Sequence, residues 1–312
     1  AVLYERWATD FNVAIDMLLR GEVQTLACQD SDLLVPLAGV LSPSMAVLEI
    51  SAIESDLKPI YVAINEGQLH ATRLGRRDEG LLAHLRWLNG AFANWLGGCL
   101  SSTIALLPIL AQALNTGDDC HARTVEGSTL LCSLMHNPGH AEDKAARKFL
   151  EQAPAFALNL WMGAAALCLK AAEGIDGAGL VTRVGGNGTE FGIQIGGNPG
   201  VWICDAALSP LGPIDAEHIG SRAIGALGDS AVVDFLGLGG QALSSAPLVF
   251  KGLEGVLPAD ALHRRQFVLQ AVPSEPTRPN AVSARRCEAS GVGPLVLLGM
   301  IDQSGVAGRI GG

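Results

Sequence analysis

Two short stretches of the 312-residue chain bring chemistry-bearing side chains together. Gly117-Asp118-Asp119-Cys120-His121-Ala122-Arg123 joins two segments of helical pattern. Asp, His and Arg together can hold a carboxylate or phosphate and move protons. The same residues also suit a helix start, with Asp118 or Asp119 capping free amides and complementing the helix dipole. The second stretch is Asn187-Gly188-Thr189-Glu190-Phe191-Gly192 between two strand-like runs. Four glycines at 185, 186, 188 and 192 let backbone amides approach a phosphate or an oxyanion closely. An ordinary Asn-Gly hairpin explains the spacing equally simply.

Other constellations carry less. Cys132, His136 and His140 recur every four residues, but Pro138 and Gly139 interrupt the helix that such a zinc set needs. No fourth ligand follows, so no metal is expected. Gly228-Asp229-Ser230 reads as a helix cap. The run GLGG (237–240) is not a dinucleotide fingerprint. Neither a Walker-type lysine loop nor a GxSxG elbow occurs, so no cofactor is expected.

These residues are carried on elements legible from composition and period. The first 173 residues hold 12 glycines and the remaining 139 hold 26, which marks a change of texture near position 174. Residues 5–21 form an amphipathic pattern, and 22–28, 45–50 and 59–64 are strand-like. From 77 to 173 the pattern is helical, with Pro108 predicting a kink or a boundary. Beyond 174, segments 180–184, 190–195, 201–206 and 294–301 read as strands, and Pro273, Pro276 and Pro279 as an exposed loop. The expected class is α+β, with mixed α/β parts and an intervening helical domain: 1–75, 76–173 and 174–312.

Charge and cysteine use exclude several partners. Asp and Glu outnumber Lys and Arg by 31 to 21, and no basic run can track phosphates, so no nucleic-acid partner is expected. Seven scattered cysteines read as reduced thiols of a cytoplasmic protein. Mean hydropathy is +0.31, and 87–117 and 153–169 carry no charge. Their Asn, Gln, Ser and Pro content nevertheless argues for buried core helices, with no membrane span.

Seven segments in order resemble one family: PLAGVLSPSM (36–45), AINEG (63–67), LRWLN (85–89), ILAQALNTGDDCHAR (109–123), GNGTEFGI (186–193), LGDSAVVDFLGLGGQALSSAP (227–247) and GVGPLVLLGMIDQSGVAGRIGG (291–312). The chain is similar to the AllG-like (YlbE-type) family, named for a subunit of oxamate carbamoyltransferase. The resemblance implies a cytoplasmic subunit in a complex with an FdrA-type partner and other subunits. It also implies movement of a carbamoyl group between phosphate and oxamate, in purine-nitrogen breakdown through allantoin and oxalurate.

The substrate is then a small anionic carboxylate or amide. A homo-oligomer is expected from the apolar content. Amides of Gly186, Gly188 and Thr189, beside Asn187, would bind an oxyanion or phosphate. Arg123 would clamp an anion, and His121, oriented by Asp119, would shuttle a proton. Glu190, Asn65, Glu66, Ser42, Ser44, Asp229 and Ser230 are further candidates. The chain departs from the family pattern at Ala122, Gly186 and Asp302-Gln303-Ser304. These departures point to another substrate or to reduced catalysis. The rival readings are a non-catalytic structural or ligand-binding subunit and a hydrolase of a related amide.

Overall fold

Asp10 starts the first helix by accepting the amides of Asn12 and Val13 at 2.9 and 3.1 Å, which fixes α1 at Phe11–Leu19. The computed structural model describes residues 1–36, 39–53, 55–65, 80–270 and 280–312. Glu66 and the proline cluster at 273–279 lie outside the described residues. The strand expected at 22–28 does not form. A short 3-10 turn at Cys28–Ser31 leads instead into β1 (Leu33–Leu34).

β2 (Val47–Ile50) and β3 (Ile60–Ala63) pair antiparallel, and β1 lies parallel to β3, giving the order β1-β3-β2. Alternation along β2 buries Leu48 and Ile50 and exposes Val47 and Glu49. The apolar sheet face is therefore one-sided and needs a helix over it.

The helical stretch comprises α2 (Leu81–Trp87), α3 (Ala93–Cys99), α4 (Leu106–Asn115), α5 (Val125–Leu134), α6 (Asp143–Glu151) and α7 (Phe156–Lys170). A π-turn, Leu88–Phe92, joins α2 to α3 and buries Leu88 and Phe92. Phe92 is the centre of an aromatic cluster with Trp87, Trp95, Phe149 and Phe156. Pro108 marks a boundary, as expected. It sits in the first turn of α4, where a missing N–H breaks no helical bond.

The glycine-rich part begins with β4 (Val181–Asn187), β5 (Glu190–Ile195) and β6 (Ile203–Ala206), and is followed by β7 (Leu227–Gly228) and the buried helix α8 (Ala231–Phe235). The sheet order is β6-β5-β4-β7, with a bulge between Val181 and Arg183. α9 (Pro247–Leu253), α10 (Arg265–Val268), β8 (Leu269–Gln270), β9 (Ala281–Val282), α11 (Ala284–Ser290), β10 (Met300–Ile301) and β11 (Arg309–Gly311) complete the α+β fold. The strand expected over 294–301 is confined to its last two residues. The rest runs irregularly because its polar backbone serves side chains elsewhere, as described below.

α7 is buried along nearly its whole length and touches β2, β3, β4, α4, α5 and α8. A single apolar cluster runs continuously from Leu34 through Trp161 to Val282 and Leu298. Among the described residues no single helix is long and apolar enough to cross a membrane. The two uncharged stretches instead hold buried helix faces such as Trp95, Leu96 and Trp161.

Helix α7 rides close on the first sheet at Gly163. A Cβ there would stand 2.4 Å from Ile50 Cγ1 and 2.9 Å from Val62 Cγ2. Gly163→Ala is expected to destabilise the protein by about 1–3 kcal/mol through overpacking, read as a lowered midpoint in urea unfolding.

Candidate functional site

The loop between α4 and α5 is closed by its own side chains. Asp119 accepts the amides of Ala122 (3.0 Å) and Arg123 (2.6 Å), and Cys120 N–H donates to Arg123 O (3.1 Å). Cys120 takes a left-handed conformation at φ 68° to complete the turn. Such strain in a non-glycine residue persists only where the surroundings enforce it. Burial pushes the Cys120 thiol pKa well up, so it is a packed neutral group. Asp118 accepts the amides of Glu126 and Gly127 at the first turn of α5, which confirms the capping alternative for this residue.

The turn projects His121 onto α8. Its Nδ1 lies 2.7 Å from Asp234 Oδ2, with the Asp234 side chain fully buried and that of His121 5% exposed. Asp234 Oδ1 accepts the amide of Gly240 (2.8 Å) and that of Leu297 (3.3 Å). The ordering partner of His121 is therefore Asp234, not Asp119, whose carboxylate is committed to the turn. Gly239 N–H donates to Asp119 O at 2.7 Å and ties the two loops together. Gly239 has φ 53°, and a Cβ there would stand 2.2 Å from Asp234 Oδ1 and 3.0 Å from His121 Cβ. Only glycine lets the 237–240 loop close over the pair. Gln241 Nε2 and Leu295 O, 2.6 Å apart, anchor the C-terminal segment against it.

Burial alone pulls the His121 pKa down, but the charge and hydrogen bond of Asp234, with the charge of Asp119, more than offset it. The net direction is upward, toward an imidazolium. Burial raises the pKa of Asp119 despite the amides it accepts. With Nδ1 committed to Asp234, the remaining ring nitrogen is Nε2, which makes no hydrogen bond among the described residues.

The other expected residues are placed differently. Arg123 is not an open anion clamp: Nη1 is 2.5 Å from Asp118 Oδ1 and Nη2 is 3.0 Å from Glu126 Oε1. In the 187–190 turn, Asn187 Oδ1 accepts the amides of Thr189 (2.9 Å) and Glu190 (2.7 Å), and Gly188 N–H donates to Ala226 O (3.0 Å). The proposed oxyanion amides of Gly188 and Thr189 are thus already used, which favours the hairpin alternative. Gly186 pairs with Phe191 on one side and Gly228 on the other, and a Cβ there would stand 2.2 Å from Ala226 O. Its glycine serves sheet packing, and Glu190 is exposed at the strand end.

Asn65 is buried and locked to Asn159: its N–H donates to Asn159 Oδ1 (3.1 Å) and its carbonyl accepts from Asn159 Nδ2 (2.6 Å). Ser42 and Ser44 beside Glu5 hold its carboxyl below the usual range. Ser44 donates to it from N and Oγ, so a carboxylate of the chain itself occupies that hydroxyl, whereas the buried Ser42 Oγ makes no hydrogen bond among the described residues. Asp229 does not cap α8. It accepts from Gln29 Nε2 (2.8 Å) and Val35 N–H (3.0 Å), and burial pushes its pKa up. Ser230 stands at the start of α8 without a side-chain cap bond.

No motif in the sequence singles out Asp234, the partner of His121. A lone carboxylate in the apolar run Ala231-Val232-Val233-Asp234-Phe235-Leu236 was the available signal, since a buried charge demands a partner.

The chain is 27% identical to "Uncharacterized protein YahG" of Escherichia coli strain K12, across all of this chain and 70% of that one. It is 29% identical to "Oxamate carbamoyltransferase subunit AllG" of the same strain, across all of this chain and 79% of that one. A crystal structure of a conserved protein of unknown function from Enterococcus faecalis V583 superimposes with a TM-score of 0.89 at 27% identity, covering 99% of this chain and 78% of that one. The family model described as oxamate carbamoyltransferase subunit AllG matches residues 23–230, two thirds of the sequence, and the chain belongs to that family.

Proposed function

We propose that this protein is a subunit of a carbamoyltransferase-type complex, and that His121 is its proton carrier. The observation that carries the reading is the buried His121–Asp234 pair, built from two segments far apart in sequence, with Nε2 left for a substrate. The name of the Escherichia coli relative supplies the reaction class. The reaction moves a carbamoyl group between phosphate and a small carboxylate-amide such as oxamate.

In the oxalurate-to-oxamate direction, a phosphate oxygen bonds to the carbamoyl carbon and the C–N bond breaks. The departing nitrogen keeps the electron pair and takes a proton from His121 Nε2. In the reverse direction His121 accepts that proton. Asp234 stabilises the imidazolium and fixes its orientation.

The chain's own anion-binding candidates are spent on internal bonds: Arg123 on two acids, the hairpin amides on Asn187 and Ala226. On this reading, phosphate and oxyanion contacts come from outside these paired groups, with other subunits, an FdrA-type chain among them, as their source. The site works within the assembly and inside the cell. A purely structural subunit is the second reading, favoured by the slight exposure of the His121 side chain.

Formation of carbamoyl phosphate from oxalurate and phosphate by the reconstituted complex tests the reading. His121→Gln is expected to lower kcat by about 10²- to 10⁴-fold, the usual worth of a general acid or base. Asp234→Asn should lower kcat and move the pH profile toward lower pH. A complex that keeps full turnover with both variants contains this chain as a structural subunit, and turnover without phosphate indicates a hydrolase.

Stability should depend on pH through the same pair. A histidine whose folded pKa is raised contributes stability that is complete below about pH 6.5, its unfolded value, and lost as pH rises through the folded value. The Tm of the native protein is expected to fall across that window more than the Tm of His121→Gln, as followed by differential scanning fluorimetry.

A further inference from the structure

Two surface patches of unlike charge and shared apolar character lie apart from the His121–Asp234 pair. The first is built by α10 and α11, which pack on each other. Arg265, Arg285 and Arg286 are exposed there, with Leu262 and Phe267 exposed beside them. Arg264 is held by Asp260 at 2.8 Å, but the other three arginines make no ion pair among the described residues. Arg286 spends one N–H on the Gln266 carbonyl, which ties α11 to α10. Glu288 is the one acid on α11, so the patch is basic in a chain of net charge −10. Arginine among exposed aromatic and aliphatic side chains is the composition of an interface centre rather than of a solvated face.

The second patch begins in β6. Residues 184–221 contain Glu190, Asp205, Asp215 and Glu217, all exposed, and neither Lys nor Arg. Glu217 has only His218 beside it, 3.6 Å away. Among these acids Leu208, Leu211 and Ile219 are each at least 80% exposed. The two patches sit at opposite ends of the β4–β5 hairpin. Ala284 N–H donates to Gly179 O (2.8 Å) and Ser283 bridges Leu180, which fixes α11 where β4 begins. Ala207 N–H donates to Thr189 O (2.8 Å) and Ala226 N–H to Leu208 O (2.9 Å), which fixes the acidic segment where β4 ends. The seven residues of β4 span about 23 Å at about 3.3 Å per residue. One molecule thus carries a basic apolar end and an acidic apolar end.

Like ends repel, so neither patch pairs well with its own copy across a two-fold axis. Unlike ends attract, and each brings apolar area that a single chain leaves in water. We propose that copies of this chain associate head to tail, with the α10–α11 arginine patch of one copy seated on the acidic 205–219 segment of the next. Arginines then meet carboxylates, and the exposed leucine, isoleucine and phenylalanine side chains are covered together. The contact joins two different surfaces, so it builds a ring where its rotation closes and a filament where it does not. It uses no residue of the His121–Asp234 pair and needs no turnover, so it stands or falls apart from the carbamoyl-transfer reading.

Sedimentation velocity of the full chain, run over a series of concentrations at low and high salt, reads the contact. Species larger than one copy are expected, growing with concentration and weakening as salt screens the charges. Arg265→Glu with Arg285→Glu makes both ends acidic, and Asp215→Lys with Glu217→Lys makes both ends basic. Each double variant alone should raise the dissociation constant about tenfold or more, with Tm unchanged because all four side chains are exposed. An equimolar mixture of the two should associate again, since every contact then pairs unlike ends, a restoration that local misfolding would not produce. A chain that sediments as one copy throughout overturns the proposal and leaves these ends to a different subunit. Self-association that neither double variant weakens, or a mixture that stays unassociated, overturns it as well.

Discussion

A carboxylate with no access to water governs the arrangement of this protein. Asp234 is fully buried on a five-residue helix whose other four side chains are apolar and buried. An ionised carboxylate in such a place is untenable unless donors and a countercharge surround it. Three stretches meet that demand: the 237–240 loop through the Gly240 amide and the missing side chain of Gly239, the C-terminal segment through Leu297, and the 117–123 loop through His121. The irregular course of residues 294–299 follows from the same demand. Regular strand pairing would compete for the Leu297 amide and the Leu295 carbonyl that serve Asp234 and Gln241.

Polar ties of a second kind fix the amino-terminal segment to the rest. Gln29 pairs with the Val184 backbone in both directions, its Nε2 to the carbonyl at 2.8 Å and its Oε1 to the amide at 3.2 Å. It therefore acts as a one-residue extension of the second sheet. The same Nε2 reaches Asp229, which also holds Val35. Asn159 on α7 does the equivalent for Asn65 at the end of β3. These amide side chains copy backbone hydrogen bonding where strands cannot meet, and each leaves few buried polar groups unpaired.

The sequence made the elements legible in proportion to how local their causes were. α5, α6 and α7 carry their own period and stops, and β4, β5 and β6 are set off by Gly-Gly, Asn-Gly and Pro-Gly turns; all lie close to where period and turn residues put them. The alternation at 22–28 yields no strand, and Gln29 and Asp30, which follow it, bond to β4 and Trp202. α1 is shorter than its apolar pattern, because Asp10 caps it and Phe11, Val13 and Leu18 stay exposed. At the site, His121 was visible from its neighbours in the chain. Its partner was not, since Asp234 lies 113 residues away and only the fold joins them. Asp119 and Arg123 look catalytic in one dimension, and three dimensions show them holding the loop.

That last distinction bears on how the protein works. A loop that satisfies its own charges is rigid before substrate arrives, so His121 is held in place without help from the ligand. Within the loop Arg123 already faces Asp118 and Glu126, and the amides of Asp118, Cys120, Ala122 and Arg123 already have oxygen acceptors. On the proposed reading, phosphate recognition and proton transfer are separable duties. A subunit that supplies one of them, in a family named for a multi-subunit enzyme, is what such a division of labour produces. The low charge of the chain fits the same account, since a surface with Leu208, Leu211 and Ile219 each at least 80% exposed has apolar area available for neighbouring chains to cover.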